Sequence, residues 1–445
     1  MNRRELFKFV SKIGVVAASA SIPWGLLEKL GLDDEFIAEA AALPQYKQIS
    51  TPITISDMSS GWAKNAGTGT VDYSASLGTW PDGTTGGLLF DQSTNGGVLN
   101  ARFTLAGAPV DLSKTANIAI RIQNTNGVTP QRIVLVAGNS GLSAHFQTFW
   151  NSTNSHFSPT HDTLVIDRSA FTVGAGSPNW NAITQLQIQC DSLGGMQSDV
   201  LIGGVWANVY HRPTVIQWFD DCNDTDFTNC YPVMSALGLP ATIAFLSSAL
   251  DATNKLTTAN CDTLYSVGWD IVNHTATHPT LTSLTADQVA SEFDACTAVL
   301  TSKGWTRTAD VAVYPQGATN ATVDGVAASR FRIVRGGRVA FANFQQSQFR
   351  GIDYPMRLVT HATLDNGTTS LANAQTAVTN CIRLGSVLNV FYHQVVNGGA
   401  ANTWELDTAF TPYQRFLARL RDANLIDVQT ISQWDRQYRF GRKPR

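Results

Sequence analysis

The chain has 445 residues, 43% of them hydrophobic and 15% charged, with a formal net charge of −3. That length exceeds one typical domain, and the hydrophobic share is enough for more than one packed core. Apart from the cationic tail RFGRKPR no basic patch interrupts the sequence, which argues against a nucleic-acid partner.

The N-terminus, MNRRELFKFVSKIGVVAASASIP, pairs Arg3 with Arg4 ahead of Leu6, Phe7 and Lys8. The weakly apolar stretch 13–22 is too short to span a bilayer. It resembles a twin-arginine export signal, so residues 1–45 are expected to be a signal and linker. The protein is then exported, to the periplasm, the cell surface or the medium. Small residues at Ala20 and at Ala40, Ala41 and Ala42 are alternative cleavage points, and an uncleaved anchor is the other reading. Beyond this segment no membrane span is expected.

Residues 46–210 are rich in Thr, Ser, Gly and Asn. The runs ANIAIRIQN, QRIVLVAGN, DTLVIDRS, TQLQIQCDS and VLIGGVWANVY alternate with turn residues, the pattern of an all-β sandwich. His145, His156 and His161 are scattered through it and read as surface or core residues. Trp150, Trp180 and Trp206 fit core packing better than sugar stacking.

After His211, Arg212 and Pro213 the texture changes to strands alternating with helices. Strands are predicted at 214–219, 241–246, 269–272, 387–392 and 426–431, and helices at 231–237, 258–267 and 371–384. Thr285 to Gln288 is a capping box, with Val289, Phe293, Cys296 and Leu300 on one face. Thr411 to Gln414 reads as another, with Pro412 at the first helical position. This alternation predicts a parallel sheet under helices, open or closed into a barrel, over residues 211–445.

Two stretches carry chemistry. At 268–279, GWDIVNHTATHP, a short apolar run ends in His274 and His278. A helix would put both imidazoles on one face, but Thr275 and Thr277 are poor helix formers, so a strand with histidines at its carboxyl end is expected. That is the edge where active sites of parallel α/β folds sit. At 214–222, TVIQWFDDC, another β-prone run ends in Asp220 and Asp221. One carboxylate and two imidazoles make the open-sided set that a catalytic zinc uses. The competing readings are a chance histidine pair and a solvated Asp-Asp turn or helix cap.

Six cysteines occur, Cys190, Cys222, Cys230, Cys261, Cys296 and Cys381. An even count in an exported chain permits disulfides, and Cys222 with Cys230 is the first candidate pair. With no C-x-x-C, a cysteine zinc site is not expected.

These motifs resemble the NodB-type polysaccharide deacetylases over roughly residues 212–435. The resemblance implies an irregular (β/α) barrel of NodB type behind a carbohydrate-binding-like β-sandwich. It rests on Trp218-Phe219-Asp220-Asp221-Cys222, on His274-Thr275-Ala276-Thr277-His278, on Val313-Tyr314-Pro315-Gln316-Gly317 and on Val390-Phe391-Tyr392-His393. It implies Asp220 as general base, His393 as general acid, and Asp221, His274 and His278 as ligands of one divalent metal, zinc first. Tyr314, Pro315, Gln316 and Trp404 become substrate-binding candidates. Asp353 is the nearest match to the carboxylate that supports the catalytic histidine. Three positions depart from the family pattern: Cys222 replaces a glycine, Val313 an arginine that orients the base, and Gln316 an aromatic residue. The implied reaction removes N- or O-linked acetyl groups from a polysaccharide. A hydrolase of non-sugar C–N bonds and a non-catalytic glycan-binding protein are the alternatives.

Overall fold

In the computed structural model, the described residues are 53–441 except 81–84, 93–96, 106–108, 116, 126–129, 152–161, 193–196, 208–212, 339–357, 361, 364–368, 386 and 400–402. Among the described residues the N-terminal part has twelve strands. They are β1 (Ile53–Ser56), β2 (Trp62–Gly67), β3 (Thr70–Thr79), β4 (Thr85–Asp91), β5 (Val98–Thr104), β6 (Asn117–Asn124), β7 (Arg132–Gly138), β8 (His145–Asn151), β9 (Asp162–Asp167), β10 (Thr172–Ala175), β11 (Gln185–Asp191) and β12 (Val200–Ala207). One antiparallel sheet runs β3-β4-β12-β6-β9 with β1 on β12, and the other runs β10-β8-β7-β11-β5-β2.

Alternation builds the core between them. Leu88, Phe90, Ile118, Ile120 and Ile122 face inward from the first sheet, and Leu99, Ala101, Ile133, Leu135, Leu186 and Ile188 from the second. Along the central strands every second residue enters one apolar layer, as a sandwich requires. Trp180 stacks on Phe146 at 4.2 Å between ring centroids against this core, so it packs rather than projects. Ala119 and Trp206, on the outer face of the first sheet, pack against the core of the C-terminal part. His145 is half-buried, with Nδ1 2.8 Å from the carbonyl of Leu142. His156, His161 and the side chain of Trp150 lie outside the described residues, as does the whole N-terminal segment 1–45.

The C-terminal part alternates strand and helix: β13 (Thr214–Asp220), α1 (Tyr231–Leu237), β14 (Thr242–Phe245), α2 (Thr258–Ser266), β15 (Asp270–Asn273), α3 (Ala286–Ser302), β16 (Val311–Val313), α4 (Ala321–Ala328), β17 (Ile333–Arg338), β18 (Leu358–Thr360), β19 (Ala362–Thr363), α5 (Leu371–Leu384), β20 (Val387–Tyr392), β21 (Gln394–Val395), β22 (Thr403–Trp404), α6 (Thr411–Asp422), β23 (Asp427–Gln429) and α7 (Ile431–Gly441). The main sheet is parallel and runs β18-β17-β16-β15-β14-β13-β20-β19, with β23 also on β13. Its two end strands, β18 and β19, follow one another in the chain, so the sheet curls back into an incomplete barrel.

β13 is buried at every residue, as a central strand covered on both faces must be. Its inward side chains, Ile216 and Trp218, share a barrel core with Ala244, Val272, Val313 and Phe391. Helix ends follow local chemistry. α3 starts on the expected box, with Thr285 and Gln288 capping each other's backbone N–H. α1 stops at Gly238, whose φ of 65° is the left-handed turn that closes a helix.

The second expected box is corrected. Thr411 caps nothing, because the helical run has already begun as a wider turn at Leu406–Phe410 and continues through Thr411. The expected disulfide is corrected too. Cys222 and Cys230 are both fully buried thiols outside any disulfide, as are the other four.

Candidate metal centre

Two chain reversals build the site. β13 delivers Asp220, and the next two residues, Asp221 and Cys222, take left-handed φ values of 72° and 55°. Successive side chains on an extended strand point opposite ways, and this turn brings both carboxylates to the same end of the barrel. The glycine expected at 222 is explained by that φ. Cys222 holds the conformation through burial and through its sulfur, which accepts the Leu246 N–H at 3.1 Å.

β15 delivers His274 on the neighbouring edge. Thr275 and His278 also take left-handed φ values, 72° and 62°. Such a φ is costly for a β-branched residue and persists only where surroundings over-determine it. Here Asn273 and Glu292 do so. Asn273 accepts the Thr275 N–H at 2.8 Å and donates to the carbonyl of Phe293 at 2.8 Å and to Thr297 at 2.9 Å. Glu292, on α3, accepts the N–H groups of Ala276 at 3.0 Å and Thr277 at 2.8 Å, and the Thr277 hydroxyl at 2.7 Å. The histidine loop is thus clamped to one helix.

The three expected ligands converge. Asp221 Oδ1 lies 3.5 Å from His274 Nε2 and 3.4 Å from His278 Nε2. The ligand atoms of the three residues all fall within 4.8 Å of one another. His274 Nδ1 sits 3.0 Å from the Val313 carbonyl, so it donates there and leaves Nε2 with a lone pair. Burial pulls the His278 imidazole below its ordinary value, with His274 adding to the effect, so it is neutral at pH 7. Asp221 Oδ1 is buried without a hydrogen-bond partner. Burial works against its ionisation, but the neighbouring imidazoles of His274, His278 and His393 outweigh it. The carboxyl is held well below the usual carboxylate range. Three electron-pair donors facing one another need a cation between them, and this donor set fits a divalent metal.

Asp220 and His393 flank the triad in different ways. Asp220 is 5% exposed, and its Oδ2 accepts from Arg335 Nη2 at 2.5 Å while Oδ1 is buried without a protein partner. His393 leaves the end of β20, near enough to interact electrostatically with both Asp221 and His278. Asn223 ties these two edges together, donating to the carbonyls of Asp220 at 3.1 Å and His393 at 2.7 Å. Lys255 Nζ donates to the Asp221 carbonyl at 2.9 Å and to Asn223 Oδ1 at 3.0 Å, bracing the turn from outside.

Three of these residues, Arg335, Glu292 and Asn223, escaped the sequence reading. Arg335 had a signal only in register: β16 and β17 pair Val313 with Arg335. The arginine missing at Val313 is therefore supplied one strand over, from the same inner face.

The substrate-binding candidates separate. Gln316 is exposed at the rim, and its Oε1 accepts from Thr280 at 3.1 Å, two residues past His278. Pro315 is buried beneath it. Tyr314 and Trp404 are each 1% exposed. Tyr314 donates to Asp324 at 2.9 Å, and Trp404 packs among Tyr392, Phe410 and Tyr413. Neither offers a ring face to a substrate, so both assignments are corrected to core residues. Asp353 lies outside the described residues.

Residues 207–330 match the polysaccharide deacetylase family. Solved structures similar to the chain include a family 4 carbohydrate esterase from Streptomyces lividans, at 20% identity over 50% of this chain and 94% of that one, TM-score 0.35. A chitin deacetylase from the fungus Colletotrichum lindemuthianum matches at 13% identity over 50% of this chain and 87% of that one, TM-score 0.35. A family 11 carbohydrate-binding module from Clostridium thermocellum matches at 12% identity over 35% of this chain and 94% of that one, TM-score 0.27. No curated protein is similar enough to count as a relative.

Proposed function

We propose that this chain, which carries a polysaccharide deacetylase domain at 207–330, hydrolyses acetyl groups from a polysaccharide with one divalent metal, zinc first. The supporting observation is the convergence of Asp221, His274 and His278 on one point, with Asp220 and His393 beside it. A divalent cation there supplies Lewis acidity, polarising the acetyl carbonyl and making water a better nucleophile at neutral pH.

The chain's own residues do the rest. Arg335 occupies Asp220 Oδ2 and holds that carboxylate in place, so Oδ1 is the oxygen that takes the proton of the attacking water. The turn Pro315–Gly317 offers the N–H of Gln316 to the developing oxyanion. His393 passes a proton to the departing sugar nitrogen or oxygen. Acetate and a free amine or hydroxyl result. Gln316, at the rim, meets the sugar beside the acetyl group.

Acetate release from N-acetylglucosamine glycans, peptidoglycan and acetylated xylan, against small non-sugar amides, tests this reading. Release from at least one glycan is expected, lost on chelation and regained with added zinc. Turnover confined to the small amides, or unaffected by chelation, would overturn it.

A further inference from the structure

The parallel ladder between β13 and β20 runs from Thr214 beside Val387 to Phe219 beside Tyr392 and stops there. Asp220 and His393, the base and the acid of the proposed reaction, are the next residue on each strand. Asp220 does not depend on that ladder. Its backbone stays paired with Ala244 on β14, and Arg335 holds its Oδ2. His393 has less support. It falls in the break between β20 and β21, and its Nδ1 is buried with no hydrogen-bond partner among the described residues. Phe391 meets its ring edge-on, at 5.2 Å between centroids.

The side chain of Asn223 stands where the ladder ends. Asn223 is 4% exposed. Its Nδ2 carries two N–H groups, one for the Asp220 carbonyl at 3.1 Å and one for the His393 carbonyl at 2.7 Å. Its Oδ1 accepts from Lys255 Nζ at 3.0 Å and from Gln394 Nε2 at 3.4 Å. Both ends of the amide are used, so its NH2 is turned toward the two carbonyls. A carboxylate of the same shape has no N–H to give, and a serine hydroxyl has one proton. Among the described residues, Asn223 is the one group that donates to the His393 carbonyl.

We infer that Asn223 is a positioning residue for the acid step: it sets where His393 stands relative to Asp220, and so how well the site expels a poor leaving group. The roles of Asp220 and His393 in this inference rest on the deacetylase reading. The nitrogen of an acetamide does not leave as an anion. As its C–N bond breaks it takes a proton from the His393 imidazole, while the acyl carbon keeps the oxygen of the attacking water. An activated aryl ester leaves as a stable phenolate and needs no proton. Shifting His393 by about 1 Å therefore costs on the order of 10²-fold for the amide and far less for the ester. A contact that merely held the fold or the metal would cost both substrates alike.

The test compares turnover of an N-acetylated glycan and of 4-nitrophenyl acetate by the zinc-loaded full chain and its Asn223→Asp and Asn223→Ser variants, with zinc content measured beside it. Asn223→Asp keeps the volume and the Lys255 partner, and Asn223→Ser keeps one donor without adding charge, so either covers a folding failure of the other. In both, kcat on the glycan should fall about 10²-fold with KM within about threefold, and the loss on the ester should be at least about tenfold smaller. Zinc content should match wild type. Equal losses on the two substrates, or glycan turnover near wild type, overturn the proposal. If the wild type releases no acetate from glycans but hydrolyses small acetamides, the deacetylase reading falls, and the same split between amide and ester still decides the role of Asn223. A wild type inert toward every acetamide overturns both.

Discussion

Arg335 and Asp220 come from strands on either side of β14, β15 and β16 and meet inside the barrel, Nη2 to Oδ2, at 2.5 Å. Arg335 is 3% exposed and lies over Trp218 and Phe391 at 5.0 and 4.9 Å from their ring centroids. A buried charge this enclosed is tolerable only if paired, and removing one partner strands the other. Arg335→Leu should keep the metal and lose turnover by roughly 10²–10³-fold, within the span of a mispositioned acid–base group. Because Val313 is its register partner, the double exchange Val313→Arg with Arg335→Val should recover part of the loss. Metal content and acetate release decide it; a fully active Arg335→Leu would remove Arg335 from the machinery.

Asp220 and Asp221 are neighbours with different partners, one held by Arg335 and one facing two imidazoles. Asp220→Asn should retain metal and lose roughly 10²–10⁴-fold in turnover. Asp221→Asn, like His278→Ala, should lose metal affinity first, and excess metal should partly restore activity. Exchanged phenotypes would reverse the two roles.

Glu292 never touches the metal point, yet it accepts three hydrogen bonds from the loop that carries both histidines. Supports of this kind typically set metal affinity by roughly 10–100-fold. Glu292→Ala should weaken zinc binding by that factor in a chelator competition, while Glu292→Gln keeps part of it. Wild-type affinity in the alanine variant would make the clamp ornamental.

Asp226 is fully buried, and among the described residues neither carboxylate oxygen has a hydrogen-bond partner. Burial pushes its pKa well above the ordinary value, against the opposing charge of Lys255. A raised native pKa means full stability below the unfolded pKa near 4 and a loss as pH rises toward the native value. The slope is about 1.4 kcal/mol per pH unit for one such group. Asp226→Asn should therefore melt higher than wild type at pH 7, with the gap closing toward pH 4. Equal melting temperatures at both pH values would show that Asp226 ionises without cost.

The features legible in the sequence are those written along one strand. TVIQWFDDC announces a buried strand with carboxylates at its end, and β13 is that strand. GWDIVNHTATHP announces a strand that sheds two histidines, and β15 does so. What sequence could not show lies between strands. Nothing in FRIVRGGR says that its first strand arginine stands beside Val313, since lateral register is set by the packed sheet. Glu292 is hidden for a related reason: it reaches the histidine loop only because α3 folds back over it. Tyr314 and Trp404 misled because aromatic residues beside a motif serve the core as readily as a subsite. Thr411 misled because a cap matters only where the helix begins, and this one begins at Leu406.

All six thiols are buried, and none is in a disulfide. Burial pushes Cys261 and Cys296 up to about 12, and Cys222 and Cys230 well above their ordinary value. At neutral pH they are neither nucleophiles nor ready partners for oxidation. No disulfide holds either part of the fold, so the native state can be completed in a reducing compartment. Refolding in excess reductant should be as complete as in air, and an oxidising shuffle system should bring no gain.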